Sequence, residues 1–209
     1  MDYKDRSEER LNNHVDKLLE IVEAIPLNQI TILTGGNAMG KSVIRKQVGF
    51  HIQELLKKTS PKDLVASISM QARTESKPEW GALSTMMHDL PWNSTSDFTI
   101  HSLRQLLKCT KKFLVIDEIE IGMSKEVQAG LCLYLNEALP EILKENLGLL
   151  VITHSDVVVK NLKHDKFLNI EGMTEEEWVN REITPVSPDD LEAWADALFK
   201  TIRDRSKEK

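Results

Sequence analysis

Cysteine is almost missing from this chain: Cys109 and Cys132 are the only two in 209 residues, they form no CxxC pair, and none of the six histidines stands at metal-ligand spacing from them. That excludes a disulfide framework and a structural zinc site, and it suits a reducing compartment. Uncharged apolar runs of about 18 residues, the minimum for a membrane-spanning helix, are also missing. The opening MDYKDRSEER is charged where a secretory segment would be apolar. The expectation is a soluble, cytoplasmic protein with no membrane role. Seven Pro and nine Gly are too few for a collagenous or Pro-rich chain. An excess of positive charge is lacking too: 27 Lys and Arg against 33 Asp and Glu leave a net charge of −6, which argues against a general nucleic-acid coat.

What is present is enough apolar material, 41% of the residues, to close one core. The expected organisation is a single domain over 1–209, with an N-terminal amphipathic helix at 8–25 and an acidic helical segment at 171–209. Charge is uneven along it. Residues 171–196 carry nine acids against the single basic Arg181, whereas Lys41, Arg45, Lys46, Lys57 and Lys58 form a basic stretch. A phosphate-rich ligand should therefore meet the first half. The acidic stretch reads either as a solvated face or as a dock for a basic protein partner.

Leu11, Val15, Leu18, Val22 and Ile25 recur at steps of three and four, which predicts a helix ended by Pro26. Short apolar runs predict strands at 29–34, 63–70, 113–116, 148–153 and 166–170. Helical stretches fall between them at 41–58, 98–109 and 125–145, the last with Pro140 as a kink. Such alternation implies an α/β fold, a parallel sheet with helices on both sides. In the tail, Thr174 with Glu177 forms a capping box, and Ser187-Pro188-Asp189-Asp190 marks a second helix start.

Three motifs carry chemistry. Gly35-Gly36-Asn37-Ala38-Met39-Gly40-Lys41-Ser42 fits GxxxxGKS and lies between a predicted strand and a predicted helix. Glycines let such a loop turn its N–H groups inward on phosphate at the positive end of the helix; Lys41 would reach the β- and γ-phosphates and Ser42 would ligate Mg²⁺. The strand 113–116 delivers Asp117-Glu118 at its carboxyl end, where Asp117 can hold the metal and Glu118 can activate water. The strand 148–153 ends in Thr153-His154-Ser155, placing a histidine where it can sense the γ-phosphate. ATP and Mg²⁺ are thus the expected cofactors, and Lys41, Glu118 and His154 the expected catalytic groups.

In this order the motifs resemble an ATP-binding cassette ATPase, and in particular the ATPase domain of the MutS mismatch-repair family. Residues 32–42 with Arg45-Lys46-Gln47-Val48 are similar to that family's TGPNMGGKS loop and following helix. Asp117-Glu118-Ile119-Glu120-Ile121-Gly122-Met123-Ser124 is similar to its DEIGRGTS segment, Thr153-His154 to its TH switch, and Asp89-Leu90 with Ser94-Thr95 to its signature. The resemblance spans about 29–155. It implies a P-loop fold and an ATP-dependent head-to-tail homodimer in which Ser94 reaches the partner's γ-phosphate. It further implies Ser124 in the loop after the acidic pair and Gln71 near the metal. Departures are Gly36 for Pro, the Ala38-Met39 order, Val43 for a second hydroxyl, and Ser94-Thr95-Ser96-Asp97 in place of a clean signature. The chain is also too short for the mismatch-reading and clamp regions, so DNA is left open as a partner. Two rivals stand beside the ATPase reading: a small-molecule kinase, whose acceptor lid would need more than Arg73 in 71–93, and a non-hydrolysing nucleotide switch.

Overall fold

The computed structural model describes residues 15–36, 39–57, 64–69, 95–110 and 112–182, with the backbone alone at 95–98. The chain divides into two compact units, Met1–Val179 and Asn180–Lys209. The first holds helix α1 at 15–23, β1 (Ile30–Thr34), α2 (Lys41–Leu56), β2 (Val65–Ser69), α3 (Thr95–Leu107), β3 (Phe113–Asp117), α4 (Lys125–Glu145), β4 (Gly148–Ile152), α5 (Asp156–Asn161) and β5 (Lys166–Asn169). Helix α6 (Glu175–Asn180) follows them. Of the second unit only 180–182 are described. All five expected strands form, each within two residues of its expected ends, and they pair in parallel in the order β2-β3-β4-β1-β5. The α/β expectation therefore holds.

Every residue of the three inner strands β1, β3 and β4 is buried, which is why they read as unbroken apolar runs. Successive side chains still divide by face. Leu33, Val115, Leu150 and Ile152 pack with α1 and α2, while Ile32, Leu114, Ile116, Leu149 and Val151 pack with α3, α4 and α5. This division follows from chirality. The β1-to-β2 connection runs three places one way across the sheet, and the later connections run back the other way. Right-handed crossovers in opposite directions must cover opposite faces. The direction changes at β1, so the connections after β1 and β4 leave toward opposite faces, and it is beyond such carboxyl ends that open α/β sheets form a ligand-binding crevice.

One expectation shifts. The buried stripe is Leu18, Ile21 and Val22 of α1 with Ile25 just beyond its end, and Val15 is 44% exposed; residues 8–14, with Leu11, lie outside the described residues. The first helix thus turns Ile21 inward against Ile44 and Val48 of α2 within the same cluster. Pro140 lies inside α4, which is helical from Lys125 to Glu145 as expected. Pro140 faces solvent, and the buried side is carried by Leu135, Leu139 and Ile142. The capping box at 174–177 forms reciprocally: Glu177 N–H donates to Thr174 Oγ1 at 3.2 Å and Thr174 N–H to Glu177 Oε2 at 2.7 Å. The helix start at Ser187 lies outside the described residues.

Gly148 opens β4 with φ +139°, and a Cβ there would lie 2.8 Å from Phe113 Cε2 and 3.1 Å from the Gln29 carbonyl. Phe113 is fully buried, so neither neighbour can move cheaply. Gly130, inside α4, has nothing within 4 Å of a new Cβ. Gly148→Ala should lower unfolding free energy by about 1–3 kcal/mol, and Gly130→Ala should raise it by about 0.5–1 kcal/mol. Urea denaturation reads both, and equal effects from the two changes would contradict the packing described.

Candidate active site

The carboxyl end of β1 runs straight into Gly35 and Gly36, and Gly40, at φ +98°, caps α2 without a side-chain bond. The positive φ at 40 favours glycine, and a side chain there would displace the Leu18 Cδ1 methyl, 2.7 Å from where its Cβ would lie. Lys41 is the first residue of α2. Its ammonium folds back on the loop, donating to the carbonyls of Gly35 at 3.1 Å and Gly36 at 2.8 Å, and the residue is only 7% exposed. Burial lowers its pKa, opposed by the charges of Glu118, Asp117, Glu171 and Glu120. Four acids thus surround one lysine. Ser42, the next residue, is exposed.

From β3 the site receives Asp117, 4% exposed. Arg45 Nε of α2 stands 3.4 Å from Asp117 Oδ2, a charge contact without hydrogen-bond alignment, since that Nε has no hydrogen-bond partner. Burial raises the Asp117 pKa, while Arg45 and a hydrogen bond from Ser69 of β2 pull it down. Glu118 follows in the left-handed region at φ +51°, one of three non-glycine residues there among those described. Lys57, a second, caps a helix. Glu118 instead holds its place by donating its N–H to the Ile152 carbonyl of β4 at 2.9 Å. Such backbone strain persists where surrounding structure over-determines it, and it clusters at functional positions.

Beyond β4, His154 Nε2 lies 3.0 Å from Glu118 Oε1. Its backbone is fixed from across the sheet. Glu120 Oε1 accepts the Thr153 hydroxyl at 2.6 Å and the His154 N–H at 2.9 Å, in a side chain only 7% exposed. The Ser155 hydroxyl accepts from Val157 N–H and Val158 N–H to cap α5, and donates to Gln128 Oε1 at 2.5 Å. A cavity of about 500 Å³ opens here, lined by Glu118, Glu120, Lys125, Gln128, His154 and Asp156 among others. Cys132 lies away from this chemistry: burial, with Glu120 nearby, pushes its thiol up to about 11, so it stays protonated.

On the other side of β1, register pairs Thr34 with Asn169. Asn169 Nδ2 donates to Thr34 Oγ1 at 2.9 Å, while its Oδ1 accepts the N–H groups of Glu171 and Met173. The turn so formed brings Glu171 Oε2 to 3.1 Å from the Gly36 N–H.

The structure therefore gathers Lys41, Asp117, Glu118 and His154 from three separate segments. Gly35, Gly36, Met39 and Gly40 lie in the connecting loop beside them, while Asn37, Ala38, Gln71 and Ser94 lie outside the described residues. Sequence reasoning gave Glu120, Gln128 and Glu171 no role. Nothing local marks them, because their partners are 34, 27 and 135 residues away.

No protein-family model and no curated protein matches the chain. Among solved structures it is similar to a chain of the E. coli MS115-1 HORMA:CdnC:Trip13 complex, at 15% identity and a TM-score of 0.34 over 79% of this chain and 56% of that one. It is also similar to C. elegans PCH-2, at 16% identity and a TM-score of 0.31 over 77% of this chain and 42% of that one. The chain spans little more than half of the first neighbour and less than half of the second. Likenesses this slight carry no argument about fold type or activity.

Because the folded chain holds the Asp117 carboxyl above its ordinary value of 3.8, the folded state binds this proton more readily than the unfolded one. The ionised group therefore costs stability above the folded pKa. That cost shrinks as pH falls toward 3.8 and is absent below it. Asp117→Asn should raise the melting temperature at pH 7 in metal-free buffer, with the gain fading toward pH 3.8. A gain that persists undiminished at acid pH would contradict the burial cause.

Proposed function

We propose that this protein binds Mg²⁺-ATP beyond the carboxyl ends of β1, β3 and β4 and hydrolyses it, as a P-loop ATPase of the cassette type similar to the MutS ATPase domain. The observation that carries this reading is the meeting of Lys41, Asp117, Glu118 and His154 at the crevice where the sheet changes direction. The cassette type, the ATP-bridged homodimer with Ser94 acting across it, and any link to DNA rest on the motifs alone.

The donor set suits Mg²⁺. That ion takes hard oxygen ligands and is usually held by one or two carboxylates or hydroxyls plus substrate phosphates, not by an all-protein cage. Ser42 and Asp117 supply such oxygens, and no cluster of three or more His, Cys, Asp or Glu residues suited to a metal exists among the described residues. Bound there, the ion would neutralise charge developing on the phosphates.

The protein's own groups divide the work. Lys41 leaves the Gly35 and Gly36 carbonyls for the β- and γ-phosphates, exchanging neutral acceptors for charged ones, which make stronger hydrogen bonds. Glu118 accepts a proton from the attacking water as the bond from the water oxygen to the γ-phosphorus forms and the bond from that phosphorus to the β–γ bridging oxygen breaks, releasing ADP and phosphate. Its strained backbone aims the carboxylate, and His154 holds one of its oxygens. An incoming γ-phosphate offers His154 a second partner, so occupancy of the site is felt on the β4 loop and, through Ser155, at the start of α5. Burial of Lys41 and Asp117 keeps water from competing for either.

Nucleotide binding and ADP release, measured without any phosphate acceptor, test the proposal against both rivals. Lys41→Ala should abolish ATP binding. Glu118→Gln should bind ATP as well as wild type, turn over about a hundred- to ten-thousandfold more slowly, and accumulate as a dimer on size exclusion with ATP and Mg²⁺. Wild-type protein that binds no ATP would overturn the reading. ADP release only with an acceptor would favour the kinase, and binding without ADP the switch.

A further inference from the structure

The loop that the proposed function gives to phosphate already holds an anion. Glu171 Oε2 accepts the Gly36 N–H at 3.1 Å, its charge acts on Lys41, and its Oε1 lies 3.2 Å from where a Gly36 side chain would begin. We propose that Glu171 is an autoinhibitory contact that sets the affinity of the loop: a tethered carboxylate that holds the Gly36 N–H and must be displaced by a phosphate ligand that uses it.

The contact is built. Glu171 itself is exposed and would gain hydration by swinging into water. Its backbone is nevertheless pinned by Asn169, whose side chain is 8% exposed as a residue and bonds Thr34 at the end of β1 on one side and Glu171 and Met173 on the other. Gly172 N–H closes the turn on the Asn169 carbonyl at 3.0 Å. The carboxylate is thereby offered to the loop at the high effective concentration of an intramolecular ligand. Lys41 is engaged at the same time by Gly35 and Gly36 carbonyls. Both phosphate-binding groups are satisfied within the chain.

A ligand needing the Gly36 N–H pays a conformational tax set by how often Glu171 holds it. Occupancy of roughly nine-tenths weakens such a ligand about tenfold. The tax falls alike on every phosphate compound that uses this N–H, so it leaves their relative affinities unchanged and lowers the occupancy of those with few other contacts, such as inorganic phosphate or pyrophosphate. A nucleoside triphosphate, with base, ribose and Lys41 contacts to add, still binds. The inference rests on the phosphate-loop reading and is tested apart from it.

Calorimetry with ATP and with pyrophosphate, each with Mg²⁺, should be run on wild type, Glu171→Ala, Glu171→Gln and Glu176→Ala. Glu176 is an exposed acid in the same stretch and controls for bulk charge. Glu171→Ala should tighten both ligands about tenfold, Glu171→Gln should tighten them less, and Glu176→Ala should leave them within twofold of wild type. Wild type that binds ATP, with Glu171→Ala no tighter, overturns the proposal and leaves the ATP reading intact. Equal tightening by Glu176→Ala assigns the effect to general repulsion and also overturns it. Absence of ATP and pyrophosphate binding in all four proteins removes the phosphate-loop reading, and this inference with it.

Discussion

β4 lies between β1 and β3, with Ile152 beside Leu33 on one side and Asp117 on the other, and that insertion places every chemical group of the site. A strand pair in register brings the residues just past its carboxyl ends to one level. Lys41 reaches that level from the loop after β1, the acidic pair from β3 and His154 from β4. Without β4 in the middle, the Glu118 N–H would lose the Ile152 carbonyl and Glu120 would have neither Thr153 nor His154 to hold. The geometry of the site is a by-product of sheet order, and sheet order is enforced by burial of the three inner strands on both faces.

Against this apolar framework the crevice concentrates features that work against folding. A lysine and an aspartate are desolvated, Glu118 sits in a left-handed backbone conformation, and Glu120 Oε2 is buried without a hydrogen-bond partner. Each costs of order 1–3 kcal/mol when uncompensated, so the site can be held only because the residues beneath it are fully packed. Ile32, Leu33, Ile116 and Ile152, directly below the loops, are all shut off from solvent.

The strands and the main loop were legible in the sequence because both rest on local pattern: an apolar run such as Phe113–Ile116 is itself the strand, and glycines followed by Lys41-Ser42 are themselves the turn and helix start. The acidic pair and His154 were legible because each stands at a strand end. Glu120 and Glu171 were not. In sequence they resemble any surface carboxylate, and only the fold brings one against β4 and the other against Gly36. In the first helix Leu18, Val22 and Ile25 are buried as their spacing suggests, while Val15 is exposed and Ile21 joins the cluster that holds Ile44 and Val48 of α2.

Sheet order also fixes when the protein can assemble. Among the described residues no two strands of this sheet are joined by a hairpin, and β1 pairs with β4 and β5, late in the first unit. A ribosome adding about 5–20 residues per second would leave the apolar segment Ile30–Leu33 without a strand partner for roughly 6–23 s before Gly148 is made. Non-local parallel pairing of this kind is slow and aggregation-prone. The nascent chain therefore has a window in which an inner strand lacks its lateral partners, and how well that window is guarded will govern the yield of folded protein.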